Sequence, residues 1–263
     1  MNIEEIFKKY NLNYRQVSEF ILGCGLSNIR ENVILAPFWE PNSVGIYDAE
    51  LISDKSTKIW LCSLKGKEFT YITTGMGAAI CSDVVMSLKK TACKSIMFVG
   101  SAGALDEEMK IGDLVIPQKI VCGDGQCRYL KESLEQDCFL ESYRIEKEWF
   151  MQLYDSAQAQ AKKLNVSCHV GVSFSVESIF TQFSHLDYIR SVGCNCIEME
   201  AAAFLKASQL CGMKAGVVFC ISDNALSGQS LITVSEESTS FRKNIRHKAI
   251  PSIIDVFVGG LNG

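Results

Sequence analysis

Apolar residues recur along this chain in two rhythms. From 145 to 164, the residues Ile145, Trp149, Leu153, Ala157, Ala161 and Leu164 fall on one face at helical spacing. Elsewhere the apolar runs are short and bounded by turn residues, as buried strands are. Such runs cover 33–36, 47–52, 95–99, 114–121, 167–174 and 214–222. The segments 58–64 and 68–73 flank Lys65-Gly66-Lys67 and predict a hairpin. Helices are expected over 2–9, 78–90 and 184–192, and from Glu200 to a left-handed cap at Gly212. Thr233-x-x-Glu236 reads as a capping box opening a last helix, which Pro251 should kink or end. Phe20-Ile21-Leu22-Gly23-Cys24-Gly25 reads as a strand turning into a ligand-facing loop, and 122–143 as one long loop. Helices alternate with strands throughout. The expected fold is therefore α/β, a three-layer α/β/α arrangement around a central mixed, twisted sheet.

Composition narrows the class. The chain has 263 residues, 48% of them hydrophobic, enough for one large domain spanning 1–263. The net charge is −4 with both signs interspersed, which excludes the basic patch that nucleic-acid binding needs. No apolar run approaches the roughly 20 residues of a membrane span. The charged first ten residues do not read as a signal peptide, so a cytoplasmic location is expected. Twelve cysteines are scattered without any C-x-x-C, beside only three histidines. Inert thiols in a reducing compartment account for them, and no metal site is expected.

Candidate chemistry gathers between Cys194 and Leu226. Glu198-Met199-Glu200 leads into a helix, and the strand after it ends in Ser222-Asp223-Asn224. In open α/β sheets ligands sit at the carboxyl ends of strands, so Glu200 and Asp223 can converge on one crevice. A carboxyl group buried there can hold its proton near neutral pH and act as an acid. Taken alone, Asp223 is equally a turn aspartate and Glu200 a helix-dipole partner.

The E-M-E-A-A stretch followed by a strand ending in S-D resembles the nucleoside phosphorylase superfamily, which also contains nucleosidases. Thr74-Gly75-Met76-Gly77-Ala78, Gly100-Ser101-Ala102-Gly103 and Ile111-Gly112-Asp113 resemble further blocks of that family, in its order. The resemblance covers about residues 20 to 257. It implies a phosphorylase-like fold and cleavage of the bond between a ribose and a base. Asp223 then takes the place of the aspartate that protonates or hydrogen-bonds a purine N7, with Ser222 orienting it. Glu200 takes the place of the glutamate that binds the ribose hydroxyls, and Met199 packs against the sugar. Phe174 matches a ring that stacks on the base, though a core phenylalanine reads equally well. Gln182 matches the glutamine of a base-binding Gln-x-Arg whose arginine is missing here.

The phosphate end departs from the family. Its phosphate arginines are replaced by Ser27 and Phe98, and residues 31–90 contain no arginine. Ser101 and the backbone amides near Gly23, Gly75 and Gly77 remain as anion contacts, with Arg128 as a substitute guanidinium. The hydrolytic branch's glutamates are also missing, since that place reads Gly23-Cys24-Gly25. The resemblance implies a phosphorylase acting on a purine-type nucleoside, with phosphate as co-substrate and no cofactor. It also implies a homo-oligomer, a trimer or hexamer. A nucleosidase using water and a non-catalytic nucleoside-binding protein stay open beside it.

Overall fold

The structure is a computed structural model that describes residues 3–229, 233 and 235–260. Two helices open the chain, α1 (Ile3–Lys9) and α2 (Tyr14–Leu22). The strand expected over 20–25 is thus the last turn of α2. Asn13 caps its start by accepting the N–H groups of Arg15 and Gln16. Gly23 closes its end in a left-handed conformation at φ 70°. The apolar residues 20–22 are helical because those caps, not the local run, set the boundaries.

Strands β1 (Asn32–Ala36), β2 (Ala49–Asp54), β3 (Lys58–Leu64) and β4 (Lys67–Thr73) follow, then helix α3 (Ala78–Ser87) and strand β5 (Ser95–Ala104). The hairpin across Lys65-Gly66 is β3–β4. Strand β6 (Leu114–Cys122) leads into the long connection, which contains only helix α4 (Gln126–Tyr129) and strand β7 (Ser142–Tyr143). Helix α5 (Lys147–Leu164) buries Trp149, Leu153, Ala157 and Ala161, the face that the periodicity marked. Then come β8 (Cys168–Ser175), α6 (Leu186–Ser191), β9 (Cys196–Glu198), α7 (Ala201–Cys211), β10 (Lys214–Asn224) and α8 (Glu236–Gly259). Helix α8 is capped by Ser235, whose side chain accepts the Ser238 N–H, so the N-cap lies two residues beyond Thr233 and is a single serine cap instead of the expected box. Pro251 sits inside α8 without ending it.

The strands form one mixed sheet in the order β10-β6-β8-β9-β5-β1-β4-β3-β2. Strand β10 also pairs with β5, in parallel, so β5, β10, β6, β8 and β9 close into a ring. Helices cover the sheet, with α3 on α7 and α5 on α8. Beneath them lies a core that includes Phe98, Phe204, Phe219 and Phe257, all 1% exposed or less. Burying such side chains stabilises the fold by about 1.5–3 kcal/mol each before chain entropy is counted. Among the described residues no helix is long and apolar enough to cross a membrane.

Candidate active site

The ring closure places three strand ends together. Strand β10 runs in register with β5 until a bulge between Ile221 and Asp223, beyond which Asp223 pairs with Gly103. A bulge re-aims the side chains that follow it. Here it leaves Ser222 and Asp223 lining a cavity of about 350 Å³, together with Ser101, Gly103, Ile197, Met199 and Glu200. Gly103 keeps the space tight, since a Cβ there would lie 3.2 Å from the Asp223 carboxylate and press it aside. Such a volume is typical of small-ligand sites.

Asp223 is 8% exposed. Burial pushes its carboxyl above the usual carboxylate range, while the Ser222 hydroxyl and the Arg242 guanidinium pull it down. The Ser222 hydroxyl stands 2.5 Å from Asp223 Oδ1 and 3.2 Å from the Ala102 carbonyl oxygen. A hydroxyl has one hydrogen to donate. Its donation to Asp223 favours the ionised carboxyl, against the larger effect of burial, which favours the protonated one. With burial the largest influence, the carboxyl is held above its ordinary range, as a general acid requires.

Glu200 is 5% exposed and opens α7. Its Oε1 accepts the Gly77 N–H at 2.7 Å, from the turn that precedes α3. Gly77 sits at φ 117°, which only glycine adopts without strain. Burial, and next the neighbouring Glu198, push the Glu200 carboxyl up to about 7. Glu198 lines the same cavity but is saturated. It accepts the Ser175 hydroxyl at 2.5 Å and the N–H groups of Glu200 and Ala201 at 2.8 and 2.6 Å. Its carboxylate caps the start of α7, which makes it structural.

Other expected residues are placed differently. Gln182 and Met199 line the cavity. Phe174 does not; it lines a second cavity of about 380 Å³ that shares Val176 and Gln182 with the first. Its ring lies over Gly123, where a Cβ would come within 1.9 Å, and meets Phe139 edge-on. Arg128 is exposed on α4, ion-paired with Asp137 at 3.1 Å, and does not line the cavity. The glycine amides are already engaged: Gly23 N–H bonds Glu19 O, Gly75 N–H bonds Pro37 O and Gly77 N–H bonds Glu200. Only Ser101 of the anion contacts lies in the lining.

Sequence reasoning missed Arg242, Phe38 and Trp39, which also line the cavity. Arg242 projects from α8 and donates to the Ser222 carbonyl at 3.0 Å, while its buried Nε has no partner among the described residues. Only the approach of α8 to the β10 end reveals it, and no local motif carries that.

A mixed α/β sheet closed at one end, with two buried acids facing one crevice, defines an enzyme-like site for acid-assisted chemistry on a small polar ligand. The phosphorylase superfamily matches residues 45–251. A purine nucleoside phosphorylase DeoD-type 1 from Vibrio cholerae is 30% identical over 202 residues, covering 76% of this chain and 78% of that protein. Uridine phosphorylase from Vibrio fischeri superposes with a TM-score of 0.71 at 19% identity, over 87% of this chain and 92% of that one. Purine nucleoside phosphorylase from Toxoplasma gondii, in complex with immucillin-H, superposes with a TM-score of 0.70 at 17% identity, over 88% and 93%. The chain belongs to the phosphorylase superfamily, a family of enzymes.

Proposed function

We propose that this protein is a pentosyltransferase, a nucleoside phosphorylase that cleaves the N-glycosidic bond of a purine-type nucleoside. Phosphate is the acceptor, and the products are free base and ribose 1-phosphate. The observation that carries the reading is the pair of buried acids, Asp223 on Ser222 and Glu200 on Gly77, facing one crevice. Cleavage leaves negative charge on the departing base and positive charge on the ribose. Asp223, protonated, donates to the base nitrogen and removes the first. Glu200, ionised, accepts the ribose hydroxyls and lies close to the second. Met199 packs against the sugar, Gln182 reads the base edge and Ser101 donates to phosphate. No step requires a cofactor.

A hydrolytic reading is favoured by one observation: Arg242, the guanidinium in the lining, is engaged at the Ser222 carbonyl next to Asp223, and the family's phosphate arginines are absent. Water needs no such counter-charge. The test is a purine and pyrimidine nucleoside panel incubated with and without phosphate, with the sugar product identified. Ribose 1-phosphate formed only with phosphate supports the phosphorylase, and free ribose in both conditions selects the nucleosidase. Binding without turnover would make the chain a nucleoside-binding protein. We further propose a cytoplasmic homo-oligomer, a trimer or hexamer. Exposed Phe180, Phe183, Ile179 and Phe38 near the crevice mouth support association there. A monomeric mass by light scattering at working concentration would count against it.

A further inference from the structure

The connection between β6 and β7 holds side chains that the crevice chemistry leaves unused. Cys122 ends β6, Cys127 lies in α4 and Cys138 follows on the return toward β7. All three are buried, as is Asp124. One ligand atom each from Cys122, Asp124 and Cys127 lies within 4.8 Å of the others. Cys138 lies beside the group without belonging to it. Its Sγ stands 3.6 Å from the Asp124 carbonyl oxygen, which Cys122 Sγ approaches at 3.3 Å. Cys127 Sγ lies 3.8 Å from Asp124 Oδ2.

Charge gives the second argument. Asp124 accepts the Cys127 N–H at 3.0 Å, yet no lysine, arginine or histidine among the described residues forms an ion pair with it. The basic side chains of this connection are bound elsewhere, Lys131 to Glu141 and Arg128 to Asp137. A buried carboxylate is ordinarily paired or bound to a metal. Two thiols and one carboxylate that converge without a basic partner, with a third thiol beside them, form the donor set of a small, soft-tolerant cation.

We propose that Cys122, Asp124, Cys127 and Cys138 form a structural zinc site. Tetrahedral zinc holds sulfur at about 2.3 Å and carboxylate oxygen at about 2.0–2.2 Å, so its ligands stand about 3.5–3.8 Å apart. Cys122, Asp124 and Cys127, within 4.8 Å of one another, must draw together by up to about 1 Å, and Cys138 must turn its Sγ from the Asp124 carbonyl toward them. On binding, three thiols release their protons to solvent, and three Zn–S bonds and one Zn–O bond replace bonds to water; no electron moves. Four protein ligands leave no open position, as in structural rather than catalytic zinc sites. None of the four lines the crevice that holds Glu200 and Asp223. The ion clasps a connection that has little regular structure of its own. That connection carries Gly123 beneath the Phe174 ring and Phe139 against Phe174 and Tyr188, the wall of the second cavity. The spacing Cys122-x4-Cys127-x10-Cys138 matches no common zinc knuckle, which is why the sequence pattern passes over it.

The full chain, purified under reducing conditions without chelator and supplied with zinc, is expected to retain one zinc per chain by mass spectrometry of the metal. A mercurial reagent should release that zinc as thiols react. Replacement by cobalt(II) should give thiolate-to-cobalt charge-transfer bands and the strong visible bands of a tetrahedral ion. Cys127→Ser and Cys138→Ser should cut bound zinc at least tenfold, whereas Cys62→Ser, a buried thiol in β3, should keep it. If the ligand variants fail to fold, the cobalt spectrum of the unaltered chain decides. Three outcomes overturn the site: no zinc and no tetrahedral cobalt spectrum, full zinc in both ligand variants, or a disulfide among the three cysteines in non-reduced peptide maps.

Discussion

At one end of the crevice, Glu200 and Asp223 are buried against donors at 2.7 and 2.5 Å. For the anion, only Ser101 of the expected contacts lies in the lining, and the expected glycine amides are already engaged. The acid end is built from backbone: a bulge, a positive-φ glycine and a helix start, each fixed by the fold. The anion end of such a site depends on long side chains, which can be exchanged without disturbing a strand. The contrast teaches that the fold dictates bond polarisation and leaves the attacking group to be chosen by a few surface-borne residues.

The contrast breaks if the acid end proves dispensable. Asp223→Asn should lower kcat/KM by about 10²–10⁴-fold, the usual worth of a general acid, with KM for the nucleoside changing little. Retained turnover in a steady-state assay would remove Asp223 from its role. Glu200 makes the next largest effect, on stability. Its folded carboxyl holds a proton that the unfolded chain has lost, between about 4.5 and about 7. Stability therefore falls as pH rises through that window, by on the order of 3 kcal/mol, and stays low above it. Glu200→Gln should flatten that profile and raise Tm at pH 8 while turnover collapses. A denaturation series across pH that shows the same slope in both proteins would refute the assignment.

Glu198→Gln sharpens the comparison from the structural side. It weakens the cap on α7 and the contact with Ser175, and should cost about 1–3 kcal/mol in urea unfolding. Arg242→Met should cost about tenfold in kcat/KM, the scale of one charge-assisted hydrogen bond. Because Arg242 lowers the Asp223 carboxyl, its loss should also move the alkaline limb of the pH profile upward, which a merely structural arginine would not do. Ser101→Ala is the smallest change, raising KM for phosphate severalfold if phosphate is the acceptor. No dependence on phosphate in either protein would assign the anion end to water.

Much of the acid end was legible in the sequence, because its parts are contiguous. Glu198-Met199-Glu200 and Ser222-Asp223 each lie within a single strand-to-helix or strand-to-turn junction, so local order already carries their geometry. The hairpin and the α5 face were legible for the same reason. What escaped depends on distant partners. Residues 20–22 are helical because Asn13 and Gly23 cap α2. Phe174 leaves the crevice because Gly123, on another strand's end, makes room for its ring. Arg242 enters because α8 crosses the end of β10, and Cys138 reaches Cys122 only after the chain has turned back. Tertiary approach, not residue type, decides each of these.

Closure of β5, β10, β6, β8 and β9 into a ring has a consequence for how the molecule behaves in a crowd. It leaves β2 as the strand that ends the sheet order, with the two-residue β7 on the margin of β6. Unpaired margins recruit other chains into shared sheets. Strand β2 resists in two ways. Its pairing with β3 shifts register between Leu51 and Ser53, and Glu50 and Asp54 stand exposed along it. An irregular ladder and two like charges disfavour the docking of a second copy. The β2 margin offered to fibre-like growth is therefore short, bent and negatively charged.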